Sequence, residues 1–363
     1  MRRFPLFDSL RAFAALCVVV YHTAFISHAD QNDTYGPLLA HLNIGVSIFF
    51  VISGFLLYRQ FLGDRALTVG RYTRHRLLRI VPAYWVALTL LAIWPGLSGM
   101  FGDAPTYYLF GQVYSFDTVV GGIPQAWTLC TEMTFYIALP FVAWAMRRRP
   151  AHVQLAVLGV MGVASLAVRT YVEGGLHGGP GWGLGLPGMF DWFAYGMALA
   201  VVSTMPFVER LRPFARWGWP AAAVLYLVLA YGLGLPRGYI FVTHYTFAEA
   251  FGAHLISGLI GFCVVLPALF SARAPGVTTW LGLVSYGIYL WHFTIIQKLH
   301  DEGIESWLPL TLVSVPVTIA LAAASFYLVE KPALRFKDGW RGAPSRAPGS
   351  GGARGPEHGR ARP

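Results

Sequence analysis

The chain has 363 residues, of which 56% are hydrophobic and only 12% charged, with a mean hydropathy of +0.53. That balance excludes a soluble globular protein of average composition and indicates a polytopic membrane protein. The formal net charge of +10 sits largely between apolar stretches and in the C-terminal tail, so it argues for contact with anionic membrane lipids and against a nucleic-acid partner.

Stretches apolar enough to cross a hydrocarbon core of about 30 Å recur along the chain. In order they cover residues 10–28, 42–60, 79–99, 126–146, 151–171, 189–206, 217–235, 248–270, 280–299 and 309–329. The expectation is an all-α, polytopic integral membrane helix bundle of about ten transmembrane helices, forming one domain over residues 1–339. Residues 1–6 are basic, but the apolar run after them has no small-residue cleavage pattern, so it reads as a retained first span. Starting with the N-terminus inside puts 24 of the 27 Lys and Arg residues on the cytoplasmic side and leaves only Arg169, Arg237 and Lys298 outside. The positive-inside bias therefore predicts an N-in, C-in topology. Residues 340–363, rich in Pro, Gly, Ser and Arg, cannot bury a core and read as a disordered basic cytoplasmic tail. Cys17, Cys130 and Cys263 all fall in candidate spans without a zinc or redox spacing, which predicts packing roles and no metal site.

The first span, FDSLRAFAALCVVVYH, carries Arg11 and His22. Eleven residues at 3.6 per turn come to about 20° past three turns and about 16 Å of rise, so both groups share one helix face. Ionisable residues inside a span are costly and point to function, although Arg11 snorkelling and His22 lining an interface would also satisfy the pattern. The second span, GVSIFFVISGFLL, holds Gly45, Ser47, Ser53 and Gly54, small residues that read as a close-packing face. The loop RYTRHRLLRIVPAYW then stacks Arg71, Arg74, His75, Arg76 and Arg79 before a span opening with Pro82 near its first turn. That cluster fits lipid headgroups and, equally, bidentate binding of the phosphates of an acyl-CoA or nucleotide. No Walker-type glycine loop accompanies it, which weakens the nucleotide version.

The fourth span, WTLCTEMTFYIALP, contains Glu132, an intramembrane carboxylate that must be paired, neutralised or wetted. The ninth, SYGIYLWHFTIIQK, places Ser285, Tyr286 and Tyr289 near the stripe of His292. Counting about 1.5 Å per residue from the inner face puts His22, His292 and Glu132 at one depth near mid-membrane, with Arg11 at the cytoplasmic mouth. Asp191 and His254 lie towards the outer half, where helix-terminus and packing roles are favoured. A cationic inner opening leading to a deeper acid/base centre is the expected arrangement.

FDSLRAFAALCVVVYH, GVSIFFVISGFLL, RLLRIVPAYW, WTLCTEMTFYIALP, SYGIYLWH and the closing EKP together resemble acyltransferase family 3, the multispan membrane O-acyltransferases of bacteria. The resemblance covers most of residues 4–336, in order. It implies a multi-pass protein of the bacterial inner (cytoplasmic) membrane that moves an acyl group from cytoplasmic acyl-CoA to a carbohydrate hydroxyl. The acceptor would be a surface polysaccharide, a glycolipid or a glycosylated natural product. The family's Arg-x10-His pattern falls on Arg11 and His22, its Arg-x-x-Arg pattern on Arg76 and Arg79, its membrane glutamate on Glu132, and its Ser-Tyr-x-x-Tyr-Leu-x-His pattern on Ser285, Tyr286, Tyr289 and His292. Around Glu132 the family reads closer to WSLSVEWQFY, so Cys130, Thr131, Met133 and Thr134 depart from it. Some members append an extracytoplasmic SGNH-type hydrolase domain, for which this chain is too short.

On that resemblance, acyl-CoA is the donor substrate and no cofactor is tightly bound. Arg76 and Arg79, helped by Arg11 and Arg74, would hold the CoA phosphates. His22 would act as general base with Glu132 orienting or neutralising its imidazolium. Ser285, Tyr286, Tyr289 and His292 would bind substrate. Transfer is either direct or relayed through a covalent acyl intermediate. The competing class, a transporter or exporter of a glycan or small glycoside, predicts paired repeats with broken helices, and the motifs show no half-to-half similarity.

Overall fold

The computed structural model describes residues 4–62, 68–175, 179–237, 245–271 and 273–336; the tail assigned to residues 340–363 lies outside them. The described residues form helices joined by loops, with no strand among them. Ten helices have ten or more residues: α1 Leu6–Ile26, α2 Ile44–Tyr58, α3 Val69–Ile93, α4 Trp127–Met146, α5 Ala151–Glu173, α6 Leu186–Val202, α7 Gly218–Leu227, α8 Phe247–Val265, α9 Gly276–Asp301 and α10 Trp307–Ser325. Each coincides with one predicted apolar stretch, and eight of the helical segments are long and apolar enough to cross a membrane. The segment 218–232 is apolar but short. α9 has 26 residues, but its Thr, Ser, Tyr and His residues make it more polar. Protein surrounds it instead of lipid: its residues from Gly282 to Ile296 are largely buried, chiefly against α1 and α10.

α1 and α9 run parallel and in register. Ser9 Oγ meets Thr278 Oγ1 at 2.7 Å near their starts, and His22 meets His292 further along at 2.9 Å. α2 runs antiparallel to α1, with Phe55 stacked on Phe7 at 4.8 Å. Its other end lies close to α1, where a Cβ on Gly45 would stand 2.3 Å from the Ala14 carbonyl oxygen. α6 crosses α2 just as closely: a Cβ on Gly54 would lie 2.1 Å from Phe193 O, and one on Gly196 2.0 Å from Val51 O. These small residues do what small residues do between membrane helices, letting backbones touch. The rings of Phe50, Phe193 and Phe135 then stack in series at 4.4 Å and 4.0 Å beside the crossing. Gly54→Ala should therefore destabilise the fold by about 1–3 kcal/mol, read as a lower melting temperature in detergent. Gly159→Ala, with nothing within 4 Å of the added methyl, should leave that temperature unchanged.

The arginine-rich segment departs from its predicted form. Helix α3 begins at Val69, so the cluster is helical and Pro82 is interior instead of near the first turn. Hydropathy ends a span where charges begin, but a backbone with suitable buried faces continues through them. Tyr72, Ile80, Ala83 and Tyr84 are buried along α3, which fixes the side turned to the bundle.

Candidate active site

Register between α1 and α9 creates the centre of the site. His292 is fully buried, and its Nδ1 lies 2.9 Å from Tyr289 O and 3.1 Å from Ile288 O. Carbonyl oxygens only accept, so Nδ1 carries the proton and Nε2 is left as an acceptor. His292 Nε2 faces His22 Nδ1 at 2.9 Å, and His22 Nδ1 also lies 3.0 Å from Val18 O. With acceptors on both sides, His22 Nδ1 must be the protonated nitrogen. The unprotonated Nε2 of His22 has no hydrogen-bond partner among the described residues, and the side chain lines a cavity. Two backbone carbonyls on α9 thus set the tautomer of two histidines in succession and leave a lone pair on the second.

Arg11, Arg76 and Arg79 form a second group. Both α3 arginines lie within electrostatic range of Arg11, whose Nη1 is 3.5 Å from Asp8 Oδ1. The Arg76 guanidinium lies 6.0 Å from the centre of the Tyr136 ring, and its buried Nε has no partner. Arg79 is within range of Glu330, a residue of the EKP stretch that is 3% exposed. Arg74 is on the exposed side of α3, away from this group.

Glu132 belongs with the arginines and not with the histidines. Its Oε1 accepts hydrogen bonds from Ser53 Oγ and Tyr136 OH, both at 2.6 Å, and no bond joins it to either histidine. Ser53 is two residues from Phe55, which stacks on Phe7, so Glu132 sits at the Arg11 end of α1. The expected common depth with His22 fails because residue counting assumes that every span starts at the membrane boundary. Here a loop carries the chain inward before α4 begins. Gln125 Nε2 donates to Tyr289 O and Leu290 O at 3.0 and 3.1 Å, and the hydroxyls of Thr128 and Tyr289 bond at 2.7 Å. Glu132 follows one turn further in. The partner that orients His22 is accordingly His292.

Other predicted side chains are held by backbone. Ser285 Oγ donates to Gly282 O at 2.8 Å, Tyr286 OH to Ile80 O at 2.9 Å and Tyr289 OH to Gln125 O at 2.8 Å. Tyr289 also lines the cavity beside His22, while Ser285 and Tyr286 do not. Ser53, read from sequence as packing, is a ligand of Glu132; an isolated serine in an apolar helix gives no sign of that.

The cavity is partly open to the outside and offers about 130 Å³ of accessible space, less than a typical small-molecule site. His22, Tyr289 and Phe293 line it together with Trp192, His254, Arg169 and Glu173. His254, expected to be structural, therefore borders the same space as His22, and its Nε2 lies 2.9 Å from Oδ1 of Asp191, which is not on that lining. Among the described residues no group of three or more His, Cys, Asp or Glu side chains is placed to hold a metal ion.

A family model described as an acyltransferase domain matches residues 5–329. Among curated proteins, the chain is 28% identical to peptidoglycan O-acetyltransferase OatA of Listeria monocytogenes, covering 90% of this chain and 55% of that protein. It is 27% identical to nodulation protein 10 of Rhizobium leguminosarum bv. viciae, covering 91% of this chain and 93% of that protein. The chain thus spans about half the length of the listerial relative and nearly all of the rhizobial one. No solved structure gives a significant match.

Proposed function

The chain belongs to this acyltransferase family, and on that premise we propose that it is an O-acyltransferase moving an acetyl group from acetyl-CoA to a carbohydrate hydroxyl. The name of the listerial relative, a peptidoglycan O-acetyltransferase, supports the acetyl group and the glycan acceptor. Arg11, Arg76 and Arg79 hold the CoA phosphates at the cytoplasmic end of a bundle with N-in, C-in topology in the bacterial inner membrane. The pantetheine arm runs towards His22.

The observation that carries the reading is the free Nε2 of His22, whose other nitrogen is committed to His292 and Val18. Nε2 takes the proton of the acceptor hydroxyl as its oxygen attacks the thioester carbonyl carbon. The C–S bond breaks, the imidazolium returns the proton to the departing thiolate, and the products are an acetyl ester and CoA. His292 accepts from Nδ1–H throughout and stabilises the imidazolium, the part an orienting carboxylate plays in a catalytic triad. Glu132 serves the donor end, where it offsets the clustered guanidinium charge and holds Tyr136.

The test is incorporation of radiolabelled acetyl from acetyl-CoA into oligosaccharide by the purified protein in nanodiscs. Label should appear in the saccharide and be released by mild base as acetate. Intact acetyl-CoA and unlabelled saccharide after prolonged incubation, with peptidoglycan fragments and chitooligosaccharides both supplied, would refute the reading.

A further inference from the structure

We propose that the part of the cavity lining formed by His254, Arg169, Glu173 and Trp192, with Asp191 holding His254, is a binding site for an uncharged saccharide, the acceptor's sugar ring. The proposal rests on the reading of the protein as a carbohydrate O-acyltransferase and assigns where that acceptor sits.

His254 is 4% exposed and Asp191 3%. The carboxylate accepts from His254 Nε2–H at 2.9 Å and is itself fixed by Ser165, whose Oγ lies 3.3 Å from Oδ1 and 3.2 Å from the Asp191 amide nitrogen. Trp192 covers one face of the imidazole at 4.4 Å and 12° and donates from Nε1 to His254 O at 3.2 Å. The ring is therefore held at one edge, on one face and through its backbone. Its Nδ1 makes no hydrogen bond among the described residues, and His254 lines the cavity. With Nε2 protonated, Nδ1 is an acceptor lone pair, suited to a ligand O–H.

Arg169 supplies the complementary donor. It is 5% exposed, lines the same cavity, is paired with Glu173, and its buried Nε has no partner. Burying such groups in a membrane bundle is costly unless they are used.

Charge bookkeeping separates the two ends of the site. Arg169 faces Glu173, His254 faces Asp191, and Arg237, also on the lining, is 3.5 Å from Asp33. The two arginines are thus answered by carboxylates, and with His254 neutral the remaining charge is the Asp191 carboxylate bonded to it, so this lining offers fixed donors, acceptors and an indole with no spare positive charge for an anion. Such a lining matches hydroxyl groups and the apolar face of a sugar. The group formed by Arg11, Arg76 and Arg79 is predominantly cationic and suits phosphate. Donor and acceptor thus approach His22 from chemically different sides.

The test is equilibrium binding of fluorescent chitotetraose, maltotetraose and isomaltotetraose to the full-length protein in nanodiscs, without acyl donor. At least one should bind, and His254→Gln should weaken it tenfold or more. Asp191→Asn, which keeps side-chain volume, should do the same and carries the test if His254→Gln lowers the melting temperature. Acetyl-CoA binding to both variants should match that of the wild type. Absence of binding by all three saccharides, variants that bind like the wild type, or tighter binding of a carboxylated tetrasaccharide of the same length would overturn the proposal. Because the saccharide arm runs without donor, failure of the wild type to bind acetyl-CoA would count against the donor reading alone.

Discussion

Replacing His22 by alanine should lower acetyl transfer by about 10²–10⁴-fold while leaving membrane abundance and melting temperature unchanged. The ring is half-buried, and no other described side chain bonds through its Nε2, so little packing is lost with it. The sharper expectation concerns His292, which touches the chemistry only through His22. His292→Gln can keep both of its functions: the amide nitrogen donates to the Ile288 and Tyr289 carbonyls, and the amide oxygen accepts from His22 Nδ1. His292→Phe fills the space but removes the acceptor, leaving only Val18 O for His22 and no group to stabilise the imidazolium. The Phe variant should lose about tenfold or more in kcat with little change in the donor KM, and the Gln variant should recover most of it. A purely structural His292 would give the opposite order, because Phe suits an apolar, fully buried position better than Gln. Phe activity equal to or above Gln activity would remove His292 from the mechanism.

How far sequence reached into this site depends on what each residue's position relies on. Arg11 and His22 lie on one unbroken helix, where 3.6-residue periodicity fixes their relation, and α1 carries them as expected. The common level of His22 and His292 followed from depth counting, because α1 and α9 are parallel and start level with each other, but the bond between them, which displaces Glu132 as the partner of His22, did not. Glu132 defeated the same reasoning: its depth depends on how far the preceding loop dips before α4 starts, and loop geometry leaves no periodic trace. Hydropathy split the arginine cluster from its helix, since transfer scales register the charge but not the buried Tyr72 face. The bond between Asp191 and His254 joins residues 63 positions apart on two helices, a contact that helix packing alone creates. The helical layout was legible because a spanning segment must satisfy its own backbone and display apolar side chains to lipid, a condition that eight of the helical segments meet by length and composition.

Removing one guanidinium from the donor end should separate two readings of the cluster that composition leaves equal. If Arg76 and Arg79 hold CoA phosphates, Arg76→Ala and Arg79→Ala should each raise the acetyl-CoA KM by about 10–100-fold, the value of about 1.5–3 kcal/mol for a charge-assisted hydrogen bond. Arg74→Ala should change it by less than about twofold, because that side chain is on the exposed side of α3 and an exposed charge is screened by solvent. A headgroup-binding role predicts another pattern: all three substitutions act weakly and alike, and the effects vary with the anionic lipid content of the nanodisc. Arg76 carries the stronger expectation because its buried Nε has no partner within the protein, a cost that a bound phosphate would relieve. Acetyl-dephospho-CoA, which lacks the 3′-phosphate, provides the closing comparison. Whichever arginine contacts that phosphate should lose the wild type's discrimination between the two donors when replaced, giving a coupling between side chain and phosphate. If both arginine variants keep the full discrimination, neither contacts that phosphate, and the cationic end serves the membrane surface or another part of the donor.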